Sequence, residues 1–133
     1  MAREILFRGK RIDNGEWVNG YVTRIKRADD NGNAESYYFN ALDELGWVAE
    51  CTVSAETVCQ YTGLADKNGR KIFDGDIVKD RSCDLYTVNW SDENGMYEVR
   101  QYGCSMASFE TFFACDCEVI GNIFDNPELM EED

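Results

Sequence analysis

The residues most able to do chemistry are two aspartates that flank a glycine, in the segment Asp74-Gly75-Asp76. Paired carboxylates can serve as general acid and base, or they can hold a hard cation such as Mg²⁺. Such a cation normally needs further oxygen ligands, and Asp66, Asp80 and Asp84 qualify only because they lie nearby in the sequence. Two acids around a glycine at the start of a strand more often form a bend. We therefore interpret the segment as a bend, and a weak metal-dependent enzyme that uses Asp74 and Asp76 is one alternative.

Other catalytic arrangements are excluded by residue type. The chain contains no histidine, which removes every triad, general base and metal site that depends on an imidazole. It also contains no phosphate-binding P-loop, no G-x-G-x-x-G motif and no nucleophile elbow. From this composition we predict that the protein is not an enzyme and that it uses no cofactor.

Six cysteines could indicate a disulfide framework or a metal site, but their setting favours neither. A disulfide framework needs a secretory context, and a zinc site prefers two close C-x-x-C pairs, of which the sequence has none. Cys115 and Cys117 are two residues apart. In a strand both thiols would face the same way and would pack as small apolar groups. We prefer that interpretation, and a metal site or a redox pair stays open.

The charge of the chain limits its partners. Thirteen basic and 26 acidic residues give a net charge of −13. Acids dominate residues 31–66 and 101–133, which contain no Lys or Arg, whereas residues 1–30 hold seven basic residues against five acids. An acidic surface repels phosphate backbones, so we expect no direct binding to nucleic acid. An alternative function follows from the same acids, which could mimic DNA and occupy a host protein's DNA-binding groove.

Two short basic clusters stand out against this background, at residues 8–11 and 24–27. We interpret each as a solvated strand face and not as a groove-reading element. In the strand predicted between them, Trp17, Tyr21 and Ile25 fall on the same alternating set of positions. Strict alternation predicts that these three side chains share one face of the sheet.

No part of the sequence suggests export or membrane insertion. No apolar run approaches the ~20 residues that a membrane helix needs, and the N-terminal apolar stretch is only Ile5-Leu6-Phe7. Hydrophobic residues nevertheless make up 44% of the chain, which is enough for a packed core. We expect a folded protein of the cytoplasm with no membrane partner.

Turn signals about every ten residues predict a series of short strands. Asp13-Asn14-Gly15 supplies the positive φ angles of a tight turn, and the residues after it predict either one strand or two strands broken near Asn19-Gly20. Residues 66–69 predict a second turn, with glycine at its left-handed end. Residues 85–90 and 96–101 alternate in polarity on either side of an Asp-Glu-Asn-Gly turn, which predicts a hairpin.

Helices are predicted at three places. Phe109, Phe112 and Phe113 stand at helical spacing, which predicts a short amphipathic helix over residues 105–113. The segment Asn126-Pro127 has the cap and first-turn residues of a helix start. Residues 41–56 have the least regular pattern: residues 47–53 look extended, and a further helix is placed within the segment.

These elements favour a mostly β fold, a β-rich α+β architecture of short antiparallel strands, over a doubly wound sheet. The second half combines a strand, a Gly-Asp bend, a hairpin, one short helix and a closing strand, and it resembles a small SH3-like barrel. We divide the chain into an N-terminal β-rich region, residues 1–64, and a C-terminal barrel-like region, residues 65–133. Together they are expected to form one compact unit.

Three blocks of sequence point to a known family. Residues 3–8 read REILFR, and residues 119–129 read VIGNIFDNPEL. The central block, residues 57–78, reads TVCQYTGLADKNGRKIFDGDIV. All three resemble the YopX family, small proteins encoded largely by bacteriophages and prophages, whose central signature is Q-Y-T-G-L-x-D-x-N-G-x-x-I-Y-x-G-D-I-V. The departures are mild, with Phe73 and Phe124 where the family commonly has tyrosine.

The resemblance implies a phage or prophage origin, a bacterial cytoplasmic setting and self-association, but it transfers no catalytic residue. The signature glycines suit turns that need positive φ, and the Asp and Asn residues suit turns in which side chains accept backbone N–H groups. As an alternative, Tyr61, Thr62, Asp74 and Asp76 could line a shared binding surface. The candidate residues of this signature surface are Tyr61, Thr62, Gly63, Asp66, Asn68, Gly69, Asp74, Gly75, Asp76, Gly121 and Asn122.

The leading hypothesis is a non-enzymatic interaction module that forms a homo-oligomer or binds a host protein. It depends on the missing catalytic residues and on the aromatic content. Three Trp, seven Tyr and seven Phe residues are more than a core of this size readily hides.

Overall fold

The computed structural model describes residues 5–26, 31, 36–42, 48–101, 104–109 and 116–130. Within these ranges the chain forms eleven β-strands and two short 3₁₀ helices, at Ala55–Thr57 and Pro127–Met130, which confirms a mostly β fold. The strands are β1 (Phe7–Lys10), β2 (Trp17–Lys26), β3 (Ser36–Leu42), β4 (Val48–Ser54), β5 (Cys59–Ala65), β6 (Lys71–Phe73), β7 (Asp76–Lys79), β8 (Leu85–Ser91), β9 (Met96–Gln101), β10 (Cys104–Ser108) and β11 (Glu118–Asn122). None of the helices in these ranges has the length and apolar character needed to cross a membrane.

The chain divides into two compact units, residues 2–60 and residues 61–133. In the N-terminal unit the strands follow the order β4-β3-β2-β1-β5, and every neighbouring pair is antiparallel. The predicted turn at Asp13-Asn14-Gly15 is confirmed, with Gly15 at φ +71°. Of the two alternatives at Asn19-Gly20, the single strand is confirmed, because β2 runs unbroken through these residues and pairs on both sides.

A β-bulge in β2 decides which side chains share a face. The pairing of β2 with β3 shifts between Val22 and Arg24. Before the shift, Val22 lies opposite Phe39, and after it Ile25 lies opposite Tyr37. Because cross-strand partners share a face, Ile25 falls on the side of Phe39 and not on that of Trp17, as the alternation had predicted. Phe39 is fully buried and belongs to the core of this unit.

In the C-terminal unit, residues 61–65 of β5 pair with β6, and five further strands form a sheet in the order β10-β9-β8-β7-β11. The predicted hairpin is confirmed as β8 and β9, in which Trp90 lies opposite Tyr97. Residues from several strands form one apolar cluster, and the buried ones are Ile72, Val78, Val88, Val99, Phe109, Cys117 and Val119. The strands of the described ranges form open sheets and no closed barrel, since β10 and β11 each pair with a single strand. The SH3-like barrel is therefore not confirmed.

Two helix predictions are corrected. The first half of the segment 105–113 is strand β10, because its backbone pairs with β9 and this pairing outweighs the helical spacing of the phenylalanines. Phe112 and Phe113 lie outside the described residues. Within residues 41–56, strand β4 confirms the extended pattern at residues 47–53 and lies where a helix was also considered. Among the described residues of this segment only the 3₁₀ turn at Ala55–Thr57 is helical, and residues 43–47 lie outside the described part of the chain. The helix start at Asn126-Pro127 is confirmed as a 3₁₀ helix of four residues.

Candidate functional site

The central signature begins with a loop, Asp66–Arg70, that is folded around one carboxylate; we call it the Asp66 loop. The side-chain Oδ1 of Asp66 accepts the N–H groups of Asn68 and Arg70, both at 2.9 Å. The backbone adds two bonds, from the Asp66 N–H to the Arg70 carbonyl and from the Gly69 N–H to the Asp66 carbonyl. Gly69 has φ +82°, a region that L side chains rarely adopt. The predicted turn, with glycine at its left-handed end, is confirmed.

The same carboxylate connects this loop to a distant strand. The second oxygen of Asp66, Oδ2, accepts the N–H of Val119 in β11 at 2.9 Å. The Lys67 N–H donates to the Cys117 carbonyl beside it. Asp66 is only 6% exposed, and this burial opposes ionisation. The three backbone N–H groups favour the charged form more strongly, so they hold the pKa of Asp66 below its usual value. Asp66 is thus a structural anion between the loop and β11.

The Asp74-Gly75-Asp76 segment forms the bend that joins β6 to β7. Oδ2 of Asp76 accepts the N–H of Phe73 at 2.8 Å, and Asp76 is almost completely buried. Gly75 has φ +88° and donates its N–H to the Val88 carbonyl at 2.7 Å. The segment therefore has the geometry of a bend, as the sequence predicted. Asp74 is half-buried.

The last signature residues shape the chain as it leaves β11. The Asn122 side-chain oxygen accepts the N–H groups of Phe124 and Asp125, at 3.0 and 2.9 Å. The Asn122 N–H in turn donates to the side chain of Asn126. A Cβ atom at Gly121 would collide with that same Asn126 side chain. Gly121 and Asn122 therefore let the chain turn tightly at the end of β11.

Tyr61 and Thr62 lie in β5 and are both buried. The Thr62 hydroxyl donates to the Ile72 carbonyl at 2.8 Å and accepts the Leu64 N–H. The Tyr61 ring packs against Phe73, with 5.6 Å between ring centroids. Gly63, at φ +90°, is exposed between these contacts.

The eleven signature residues therefore fall in one unit but do not form one exposed surface. Tyr61, Thr62, Asp66, Asp76 and Asn122 are buried and make the contacts given above. Gly63, Asn68 and Gly69 are the exposed members. In the described ranges no group of three or more His, Cys, Asp or Glu side chains has a metal-binding arrangement. Cys117 is buried, and Cys115 lies outside the described residues.

Sequence reasoning missed a group of residues at the turn of the β8–β9 hairpin. The Trp90 ring meets the Tyr97 ring edge to face, with 5.0 Å between centroids, and its Nε1–H donates to Asp92 at 3.0 Å. Trp90 is 44% exposed, and Asp92 and Glu93 are exposed beside it. We call Trp90, Asp92, Glu93 and Tyr97 the hairpin tip. The Asp-Glu-Asn-Gly turn signal predicted the hairpin, but only the strand register places the tryptophan opposite Tyr97.

Comparison with known proteins agrees with this fold. The YopX family, described as "YopX protein", matches residues 6–131. The chain belongs to the YopX family. Among solved structures, this YopX protein is similar to the crystal structure of protein EF1440 from Enterococcus faecalis, with 21% sequence identity and a TM-score of 0.53. That similarity covers 98% of this chain and 100% of the other, and it shows a shared fold. No curated protein matches the chain.

Proposed function

We propose that this YopX protein is a non-enzymatic interaction module of the bacterial cytoplasm, and that it associates with itself through the hairpin tip. The observation that supports this proposal most directly is the half-exposed Trp90. Tryptophan, tyrosine and arginine contribute more than other residues to the binding energy of protein interfaces.

The aromatic rings of the hairpin tip are preorganised for binding, because contacts within the unit already hold them in place. Tyr97 packs against the apolar cluster of its unit, and Trp90 packs against Tyr97. The bond to Asp92 further fixes the indole ring. A ring that is already held in place loses little side-chain entropy on binding, so its burial contributes more of its hydrophobic free energy to affinity.

The signature residues support a non-enzymatic role by the contacts they make. The carboxylates of Asp66 and Asp76 accept backbone N–H groups that hold the loop and the bend in shape. The Thr62 hydroxyl is likewise bonded within the sheet. Because these side chains bond to the backbone of their own unit, the exposed aromatic residues of the hairpin tip are the better candidates for a functional contact.

Light scattering coupled to size exclusion tests the proposal, with the wild type compared to Trp90→Ala. We expect the wild type to assemble, and the variant to need a concentration at least roughly tenfold higher for the same assembly. Ile12→Ala is the matched control, because Ile12 is an exposed apolar residue in the other unit. It should assemble like the wild type. A wild type that stays monomeric at every concentration would refute self-association.

A further inference from the structure

The outer edge of β11 is bonded to two other segments of the sequence signature. β11 is the last strand of its sheet, and within the described ranges its backbone pairs as a strand with β7 alone. A strand directs its backbone N–H and C=O groups alternately to its two sides, so some of these groups face away from β7. An edge of this kind can pair with a strand from another molecule. In β11, contacts within the chain occupy such groups toward both ends of the strand.

The Asp66 loop covers the first half of this edge. The Val119 N–H donates to Oδ2 of Asp66 at 2.9 Å, and the Cys117 carbonyl accepts the Lys67 N–H at 3.0 Å. Neither bond involves β7, and Cys117 and Val119 are two residues apart, so both groups face the outer edge. The Lys67 ammonium also lies 3.6 Å from the Glu118 carboxylate. The loop therefore supplies one acceptor and one donor to the edge, as a neighbouring strand would.

The turn that follows β11 covers the second half of the edge. The Asn122 N–H donates to Oδ1 of Asn126 at 3.3 Å, and the Asn126 N–H donates to the Asn122 carbonyl at 2.9 Å. The pairing of β11 with β7 shifts between Val119 and Gly121. Because this bulge adds one residue, Asn122 faces the same edge as Val119 although the two are three residues apart. We call these two sets of bonds the edge caps.

We propose that the edge caps prevent β11 from pairing with β11 of a second copy. The symmetry of such a contact identifies its occupant. In an antiparallel pair of identical strands related by a two-fold axis, each strand offers the other the same donors and acceptors. Every copy carries the same strand, so an open β11 edge would always meet a complementary partner. The bonds from Asp66 and Asn126 therefore confine association to other surfaces of the protein.

Opening one cap by a single substitution tests this role. Asp66→Asn keeps the bonds within the loop, but its NH₂ meets the Val119 N–H and leaves that donor without an acceptor. Every protein in the experiment also carries Trp90→Ala, so the result does not depend on whether the hairpin tip binds. We expect the mean mass of Asp66→Asn in light scattering to rise with concentration toward about twice that of the monomer. Hydrogen exchange at the Val119 amide should be fast in dilute solution and at least roughly tenfold slower once dimers form.

Two controls separate strand pairing from a general loss of stability. Asp80→Asn changes the same atoms in a second loop, where Oδ1 of Asp80 also accepts two backbone N–H groups but Oδ2 accepts the Tyr86 hydroxyl. Ile72→Ala removes buried volume from the apolar cluster and destabilises the unit without changing either edge cap. Neither control should dimerise. If one of them dimerises as Asp66→Asn does, the association comes from instability and the proposal is wrong.

A second substitution locates the contact on β11. Ile120 is a half-buried residue of this strand, and Ile120→Lys would bring two like charges together in a pair of β11 strands. Lysine on an edge strand opposes pairing for this reason. Added to Asp66→Asn, Ile120→Lys should restore the monomer. A combined variant that still dimerises would place the contact elsewhere and overturn the proposal, as would an Asp66→Asn protein that stays monomeric at every concentration.

The other cap provides the same test if Asp66→Asn does not fold. Asn126→Ala removes the acceptor of the Asn122 N–H and opens the second half of the edge. Its matched control is Asn126→Asp, because a carboxylate oxygen still accepts that N–H. We expect Asn126→Ala to dimerise and Asn126→Asp to remain monomeric. Equal behaviour of the two variants would show that the cap does not control pairing.

Discussion

Two loops of the C-terminal unit share one hydrogen-bond pattern, although only one of them stands out in the sequence. In the Asp66 loop, Oδ1 of the first residue accepts N–H groups from the third and fifth residues. Residues Asp80–Asp84, the Asp80 loop, repeat this, with Oδ1 of Asp80 accepting the N–H groups of Ser82 and Asp84 at 2.9 Å each. The backbone bonds between first and fifth and between fourth and first residues are also the same in both loops.

The loops differ in the partner of the second carboxylate oxygen. In Asp66 this oxygen accepts a backbone N–H of β11, 53 residues further along the chain. In Asp80 it accepts the hydroxyl of Tyr86, only six residues away. Asp66 is buried, whereas Asp80 is half-buried. The carboxylate of Asp66 therefore ties its loop to a distant strand, whereas the carboxylate of Asp80 bonds only to residues close to it in the sequence.

The loops also differ at the fourth residue, which has a positive φ in both. It is Gly69, at φ +82°, in the first loop and Cys83, at φ +67°, in the second. A side chain in this region of φ costs energy that glycine avoids. The comparison teaches that one carboxylate can organise a five-residue loop by itself, and that glycine and the distant bond are additions that stabilise it further.

The largest effect in this comparison is expected from Asp66→Asn. An asparagine would still accept the N–H groups of Asn68 and Arg70, but its NH₂ would then face the Val119 N–H, and two donors cannot bond. Loss of a buried, charge-assisted bond should lower the free energy of unfolding by about 2–4 kcal/mol. Urea denaturation measures this loss, and hydrogen exchange at the Val119 amide should accelerate.

The pH dependence of stability provides a second test of the role of Asp66. Because the folded-state pKa of Asp66 lies below its unfolded value, the ionised carboxylate stabilises the fold at pH values above that unfolded value, about 3.9. This contribution is lost as the pH falls through the folded pKa. The wild type should therefore lose stability in acid, and Asp66→Asn should lose less over the same range. Parallel acid profiles for the two proteins would contradict the role assigned to Asp66.

An intermediate effect is expected from exchanging the fourth residues of the loops. Cys83→Gly removes the cost of the left-handed conformation and should stabilise the protein by about 0.5 kcal/mol, after the greater freedom of glycine in the unfolded chain is subtracted. Gly69→Ala should destabilise it by about 1 kcal/mol. A Cβ atom at Gly69 would have no neighbour within 4 Å, so a steric clash cannot account for the loss. Thermal denaturation measures the change in stability of each variant. If both variants are stabilised, or both destabilised, this explanation is wrong.

The comparison also shows what sequence can predict. The turn at residues 66–69 was predictable because Asp, Asn and Gly each favour it for a local reason. The bend at Gly75 was predictable for the same reason. The Asp80 loop was not, because a cysteine at the left-handed position gives no glycine signal. Local chemistry in the sequence therefore predicts a loop only when its special backbone positions hold the expected residue types.

Contacts between residues far apart in the chain could not be predicted from the sequence, for a different reason. The bond from Val119 to Asp66 depends on how β11 packs, and no local pattern encodes that pairing. The bulge in β2 shifts the alternation by one residue, so the pattern placed Ile25 with Trp17 and gave no sign that Arg24 joins Tyr21. Residues 105–108 form a strand because their backbone pairs with β9, a contact that the local sequence pattern does not encode. The contact surface proposed at the hairpin tip depends on strand register, which places Trp90 opposite Tyr97, so composition alone could not locate it.

The smallest effect is expected from Asp80→Asn, and its size tests the comparison most closely. As at position 66, an asparagine would keep the two loop bonds and would turn its NH₂ toward the partner of the second oxygen. Here that partner is the Tyr86 hydroxyl, which can rotate and accept the bond it formerly donated. Burial raises the pKa of Tyr86 and does not depend on the Asp80 carboxylate, so in the variant the hydroxyl stays protonated and can rotate. The loss of stability should therefore be about 0.5 kcal/mol or less, within the range of ordinary surface substitutions. A cost at position 80 equal to that at position 66 would mean that the carboxylate charge, and not the donor geometry of its partners, holds both loops together.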